Sequence, residues 1–150
     1  FACVGAMELK TWRLQSSAKV SAKLAGLFLI SREQVSAGGS AISSRGYDAS
    51  SWYGITIPAT VLAGLQQNNV YPDPFYGKNL QKIPEAPFEV PWWYRCEFDG
   101  SEAIKGAASL LTFKGLNYKA NIWMNGKQIG FVSDVVGSFR YFDFDVSSLM

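Results

Sequence analysis

Three aromatic-rich runs constrain this chain more than anything else in it: Trp92-Trp93-Tyr94-Arg95-Cys96-Glu97-Phe98, Leu110-Leu111-Thr112-Phe113-Lys114-Gly115-Leu116, and Ala120-Asn121-Ile122-Trp123-Met124-Asn125-Gly126-Lys127. Aromatic and branched side chains fit a pleated, half-buried surface. Asn125-Gly126 supplies the two positive-φ residues of a tight hairpin turn. The pattern predicts successive strands over 93–99, 107–114, 120–124, 128–132 and 139–146. In the last, Phe139, Tyr141, Phe142 and Phe144 interleave with Arg140, Asp143 and Asp145, predicting one aromatic face, one wet face and a register break near Tyr141-Phe142.

Composition agrees with a strand-rich chain. Hydrophobic residues make up 48% and aromatics 15% of 150 residues, enough for one domain with a real core. Fourteen basic and twelve acidic side chains leave a net charge of +2 with no clustered basic stripe, which argues against nucleic acid as a partner. No run approaches the ~18 apolar residues of a membrane span. Without histidine and with only Cys3 and Cys96, no zinc-type cluster is expected, nor any cofactor. Both cysteines are expected to be free, inert thiols, since a disulfide could form only if their Cα atoms came within about 7 Å.

Upstream, Trp12 and Leu14 alternate with polar neighbours over 9–20, predicting a strand. A Gly/Ser-rich loop is expected over 38–46, then a short extended piece from Gly54 that Pro58 ends. Thr60 is placed to cap a brief helix with Val61, Leu62 and Leu65 on one face, ending at Asn68-Asn69. From Val70 to Pro91, five prolines (Pro72, Pro74, Pro84, Pro87 and Pro91) forbid a persistent helix or central strand. Long shaped loops are uncommon unless they act, so this one is the functional candidate.

Taken in order, Trp93-Tyr94-Arg95-x-x-Phe98, Leu111-x-Phe113-x-Gly115-Leu116, Trp123-x-Asn125-Gly126-x-x-x-Gly130 and Phe144-Asp145-Val146 resemble the N-terminal sugar-binding jelly roll of glycoside hydrolase family 2. Gly46-Tyr47-Asp48, Trp52-Tyr53, Ile57-Pro58-Ala59-Thr60-Val61, the run from Tyr71-Pro72-Asp73-Pro74-Phe75-Tyr76 through Gly77-Lys78-Asn79, and the doubled Trp92-Trp93 resemble its exo-β-D-glucosaminidase branch. The β-mannosidase branch is the nearest rival.

The resemblance implies an all-β, galactose-binding-domain-like jelly-roll sandwich with one short helix and the long Pro-rich loop, lacking its last strand. It implies a retaining glycosidase, secreted, acting on chitosan oligomers from the non-reducing end. Its two carboxylates, about 5 Å apart, sit on a catalytic barrel on which this domain docks. No catalytic residue carries over to this chain, and Asp143 with Asp145 is read as structural. A free-standing carbohydrate-binding module is the alternative of another class.

Residues 1–8 are expected to be a signal-peptide remnant or a truncated strand, and 9–150 the domain. The repeat of Val20-Ser21-Ala22 as Val35-Ser36-Ala37 suggests an insertion at 21–35. Sugars present apolar C–H faces and dense hydroxyls, so a site pairs an aromatic platform with carboxylate or amide groups. Asp73, Tyr76, Lys78 and Asn79, with Trp92 close behind, meet that description, and Asp73 could face a glucosamine ammonium. Docking of the loop on the barrel is the favoured role, with contact at the edge of the sugar pocket as the alternative. Trp93, Phe98, Leu111, Phe113, Ile122 and Trp123 are read as core, and Arg95 as pairing Glu97 or Asp99 across strands.

Overall fold

The computed structural model describes residues 7–20, 32–100 and 108–150. Strands dominate: β1 (Thr11–Ser16), β2 (Tyr53–Thr56), β3 (Trp92–Arg95), β4 (Leu110–Lys114), β5 (Ile122–Met124), β6 (Lys127–Gly130) and β7 (Tyr141–Asp145), with α1 (Arg32–Ser43) and α2 (Val61–Gln67) as the longer helices. No helix of the described residues is long and apolar enough to cross a membrane. The chain divides into two compact units, one containing β1 to β3 and α2, the other α1 and β4 to β7.

In the first unit β1 is the middle strand, antiparallel to β2 on one side and β3 on the other. Its period-two pattern puts Trp12, Leu14 and Ser16 on one face, in register with Ile55, Tyr94 and Trp92. Leu14 is wholly buried and Ile55 nearly so. The strand stops at Ser16, short of the expected Val20. Residues 17–20 are helical, with the Ser17 N–H donating to Pro91 O at 3.0 Å and Val20 buried.

Helix α2 begins as expected, with Thr60 Oγ1 accepting from Ala63 N at 3.2 Å and satisfying a donor that the first turn leaves free. It then shields the edge of β2. Gln67 accepts from Thr56 N at 2.8 Å through Oε1 and donates to Thr56 O at 3.1 Å through Nε2, while Asn68 Nδ2 donates to Gly54 O at 2.9 Å. Two amide side chains thus occupy edge groups that would otherwise invite another strand. Thr60→Ala should destabilise the chain by about 0.5–2 kcal/mol in urea titration, and Thr60→Ser should retain most of the stability; equal losses in both variants would remove the cap from the account.

In the second unit β4 pairs with β7, and the register sets Phe113 opposite Phe142 and Leu111 opposite Phe144. These residues share one face. Ile122, Val135 and Phe142 form a buried cluster against which Phe113, Leu116, Ala120, Ile129 and Phe144 pack, with Phe113 and Phe144 edge to face at 6.1 Å between ring centroids. Tyr141, Asp143 and Asp145 face solvent, so the alternation holds through Tyr141-Phe142. The break comes earlier, at Phe139, where φ is +62°. Asn125 and Gly126 take φ of +49° and +85° and close the β5–β6 hairpin as expected. β6 ends at Gly130 rather than Val132 because Asp134 N and Val135 N both turn back onto Phe131 O, at 2.9 and 2.8 Å.

Three further expectations are corrected. The loop assigned to 38–46 is helical as far as Ser43, which adds a 12-residue helix to the single short one expected. Its glycines serve packing: a Cβ on Gly39 would lie 2.2 Å from Trp123 Cε2, so the indole sits directly on the helix backbone. Ile42 is buried, and Ser43 Oγ accepts from Gly126 N at 3.0 Å, so positions 39, 42 and 43 form the covered stripe. Of the six expected core residues, Ile122 is buried and half-buried Phe113 packs against its cluster, whereas Trp93, Phe98, Leu111 and Trp123 are half-buried outside it. Arg95 pairs with Glu97 two residues along its own segment, and the residue opposite it across the sheet is Arg13. The suspected insertion falls mostly on 21–31, and the segment 1–8 mostly on 1–6, both outside the described residues.

Candidate functional site

The loop from Val70 to Pro91 leaves α2 through Asn69, whose φ of +56° turns the chain, and the Val70 N–H closes onto Leu65 O at 3.0 Å. Proline forbids long elements here, and the chain uses two 3-10 turns instead, Leu80–Lys82 and Ala86–Phe88. Tyr71 and Phe88 approach at 6.2 Å between ring centroids, joining the two ends of the loop by a tilted aromatic contact.

The tip is closed by side-chain chemistry around Asp73. Its Oδ1 accepts from Phe75 N at 2.9 Å, and its carbonyl accepts from Tyr76 N at 3.2 Å and from Asn79 Nδ2 at 3.0 Å. An acidic side chain binding the N–H two residues on is a local substitute for a backbone turn. Pro74 is buried beneath the tip, while Phe75 is 92% and Tyr76 77% exposed. Large apolar surface raised on a hydrogen-bonded frame marks an interaction site more often than a stray side chain does.

The structure therefore brings Asp73, Tyr76 and Asn79 together through the turn, with Lys78 exposed beside them. Trp92 is engaged elsewhere: its Nε1–H donates to Pro87 O at 2.9 Å, and the ring is half-buried where β3 begins. Phe75 is the residue that sequence reasoning passed over. The available signal was its position two after Asp73, where an acidic side chain can accept the backbone N–H.

Outside the loop, Asp143 and Asp145 serve local structure. Asp143 Oδ1 accepts from Thr112 Oγ1 across the β4–β7 pair. Asp145 accepts from both the hydroxyl and the N–H of Ser147, and these bonds hold its carboxyl below the usual carboxylate range. Among the described residues, no group of three or more His, Cys, Asp or Glu could hold a metal ion. Cys96 is a free thiol, pushed up to about 11 chiefly by burial. In a Cys3→Ser variant it should alkylate with iodoacetamide at pH 8 well over tenfold more slowly in the native chain than in denaturant; equal rates would contradict the burial.

The family model described as glycosyl hydrolase 2 galactose-binding domain-like matches residues 34–150. The chain is 41% identical over 137 residues to an exo-beta-D-glucosaminidase of Streptomyces avermitilis, covering 91% of this chain and 15% of that protein. It is 26% identical over 109 residues to a mannosylglycoprotein endo-beta-mannosidase of Lilium longiflorum, covering 66% of this chain. The crystal structure of the Amycolatopsis orientalis exo-chitosanase CsxA superposes with a TM-score of 0.80 at 33% identity, over 98% of this chain and 15% of that one. A second structure of that protein, a variant in complex with PNP-beta-D-glucosamine, superposes with a TM-score of 0.77. The chain spans about 15% of the length of these glucosaminidase relatives.

Proposed function

Because the chain belongs to the glycosyl hydrolase 2 galactose-binding domain-like family, we propose that it serves as the non-catalytic N-terminal domain of a secreted exo-β-D-glucosaminidase acting on chitosan oligomers. The observation that carries this reading is the 41% identity to the Streptomyces avermitilis exo-beta-D-glucosaminidase across nearly the whole chain. The more distant likeness to the mannosidase makes β-mannoside hydrolysis the second choice. Secretion fits a polymeric substrate too large to enter a cell.

In this reading the chemistry belongs to a barrel outside this chain, where one carboxylate attacks the anomeric carbon and the other protonates the leaving oxygen. The domain docks on that barrel, its strands closing as a jelly roll. The loop carrying Asp73, Tyr76, Lys78 and Asn79, with Trp92 at its base, lies toward the sugar. A chimera in which this chain replaces the matching segment of the Streptomyces avermitilis relative tests the proposal. It should release p-nitrophenol from the β-D-glucosaminide and leave the β-D-mannoside untouched. A folded chimera that is inactive, or that prefers the mannoside, overturns the reading. Calorimetry of the isolated chain with chitosan oligomers should give no binding at millimolar concentrations; clear binding would favour a free-standing carbohydrate module.

A further inference from the structure

We propose that Phe75 is the ring on which the glucosamine unit stacks, and that Asp73 is a positioning residue that fixes Phe75 rather than the ammonium's partner. This rests on the proposed glucosaminidase reading and sharpens its site. Phe75 is 92% exposed, the most exposed large apolar side chain of the loop, and it takes no part in the buried cluster around Ile122, Val135 and Phe142. An unsupported phenylalanine in that position would sample many directions. Here its backbone is held from both sides: Asp73 Oδ1 accepts the Phe75 N–H at 2.9 Å, and Asp73 O accepts both Tyr76 N and Asn79 Nδ2.

Pro74 between them is buried and has its own φ fixed by its ring. The backbone beneath the ring is thereby ordered in advance, so stacking against an apolar sugar face would cost only the ordering of the side chain itself. Tyr76, also exposed, and Asn79, whose Nδ2 donates to Asp73 O, bring a hydroxyl and an amide oxygen to the same turn. The occupant is a sugar rather than a protein surface because an exposed ring that shares its turn with a tyrosine and an asparagine suits the mixed apolar and hydroxyl character of a pyranose, and because the matched CsxA structures include complexes with PNP-beta-D-glucosamine.

The two roles for Asp73 separate cleanly by substitution. Asparagine keeps an acceptor oxygen in place for the Phe75 N–H but carries no charge, whereas alanine keeps neither. In the chimera, Phe75→Ala and Asp73→Ala should each raise KM for chitobiose about tenfold with kcat within about twofold, the scale of one lost aromatic contact. Asp73→Asn should restore KM to within about twofold of the parent.

If Asp73→Asn is as impaired as Asp73→Ala, the carboxylate's charge is what matters and the positioning role is overturned. If Phe75→Ala leaves KM unchanged while the parent chimera is active, the platform is overturned and the domain assignment survives. An inactive parent chimera would instead sink the assignment itself. Melting curves of the variants control for unfolding, which the exposure of Phe75 makes a small concern.

Discussion

Replacing Leu14 with alanine should cost about 2–5 kcal/mol, toward the upper end of that range. Leu14 is wholly buried on the middle strand of its sheet, and its immediate neighbour from α2 is Gly64, where a Cβ would come within 2.8 Å of Leu14 Cδ2. A glycine has no side chain with which to refill a void, so the cavity would persist and its walls would lose their dispersion contacts. With about 2–4 °C of melting temperature per kcal/mol for a chain of this size, the shift should be near 10 °C. Gly64→Ala alone should also destabilise, by crowding Leu14. Combined, the two changes should cost less than their sum, since the new methyl occupies part of the cavity. Strict additivity in urea titration would mean that the two residues do not share that space.

The second large effect is expected at Gly39. Alanine in a helix interior is ordinarily worth about 1 kcal/mol over glycine. Here that gain is outweighed, because the added methyl would lie 2.2 to 2.5 Å from three ring carbons of Trp123, and a planar indole cannot yield at one atom alone. Either the ring swings out, exposing its face, or α1 lifts from the hairpin and strains the bond between Gly126 N and Ser43 Oγ. A net loss of about 1–3 kcal/mol is expected, the usual cost of overpacking. Unchanged or increased stability of Gly39→Ala would show that Trp123 does not cover this helix.

Local chemistry was legible in the sequence wherever one or two residues decide the outcome. Asn125-Gly126 made its hairpin, Thr60 capped its helix, and Phe142 and Phe144 alternated inward. The misses arose where a residue's meaning depends on a partner far along the chain. Gly38 and Gly39 read as loop because glycine weakens helices; only the indole of Trp123, more than eighty positions later, explains a glycine inside one. Leu14 looked like any apolar strand residue until β1 was found between two neighbours.

At the loop, the prolines announced an irregular path and Asp73 announced polarity. That its carboxylate is spent on the Phe75 N–H, and that Asn79 reaches back to the Asp73 carbonyl, are facts of closure that residue types alone do not carry. The ring thus raised into solvent was visible as a letter and invisible as a platform.

Helix α1 also has a history in time. Ser43 meets Gly126 across 83 positions of chain, and ribosomes add roughly 5–20 residues per second. The covered stripe of Gly39, Ile42 and Ser43 therefore emerges about 4–17 s before the hairpin that shelters it. During that interval the stripe has no hairpin to pack on, and a 12-residue helix alone is marginal in water, so its persistence awaits the later strands.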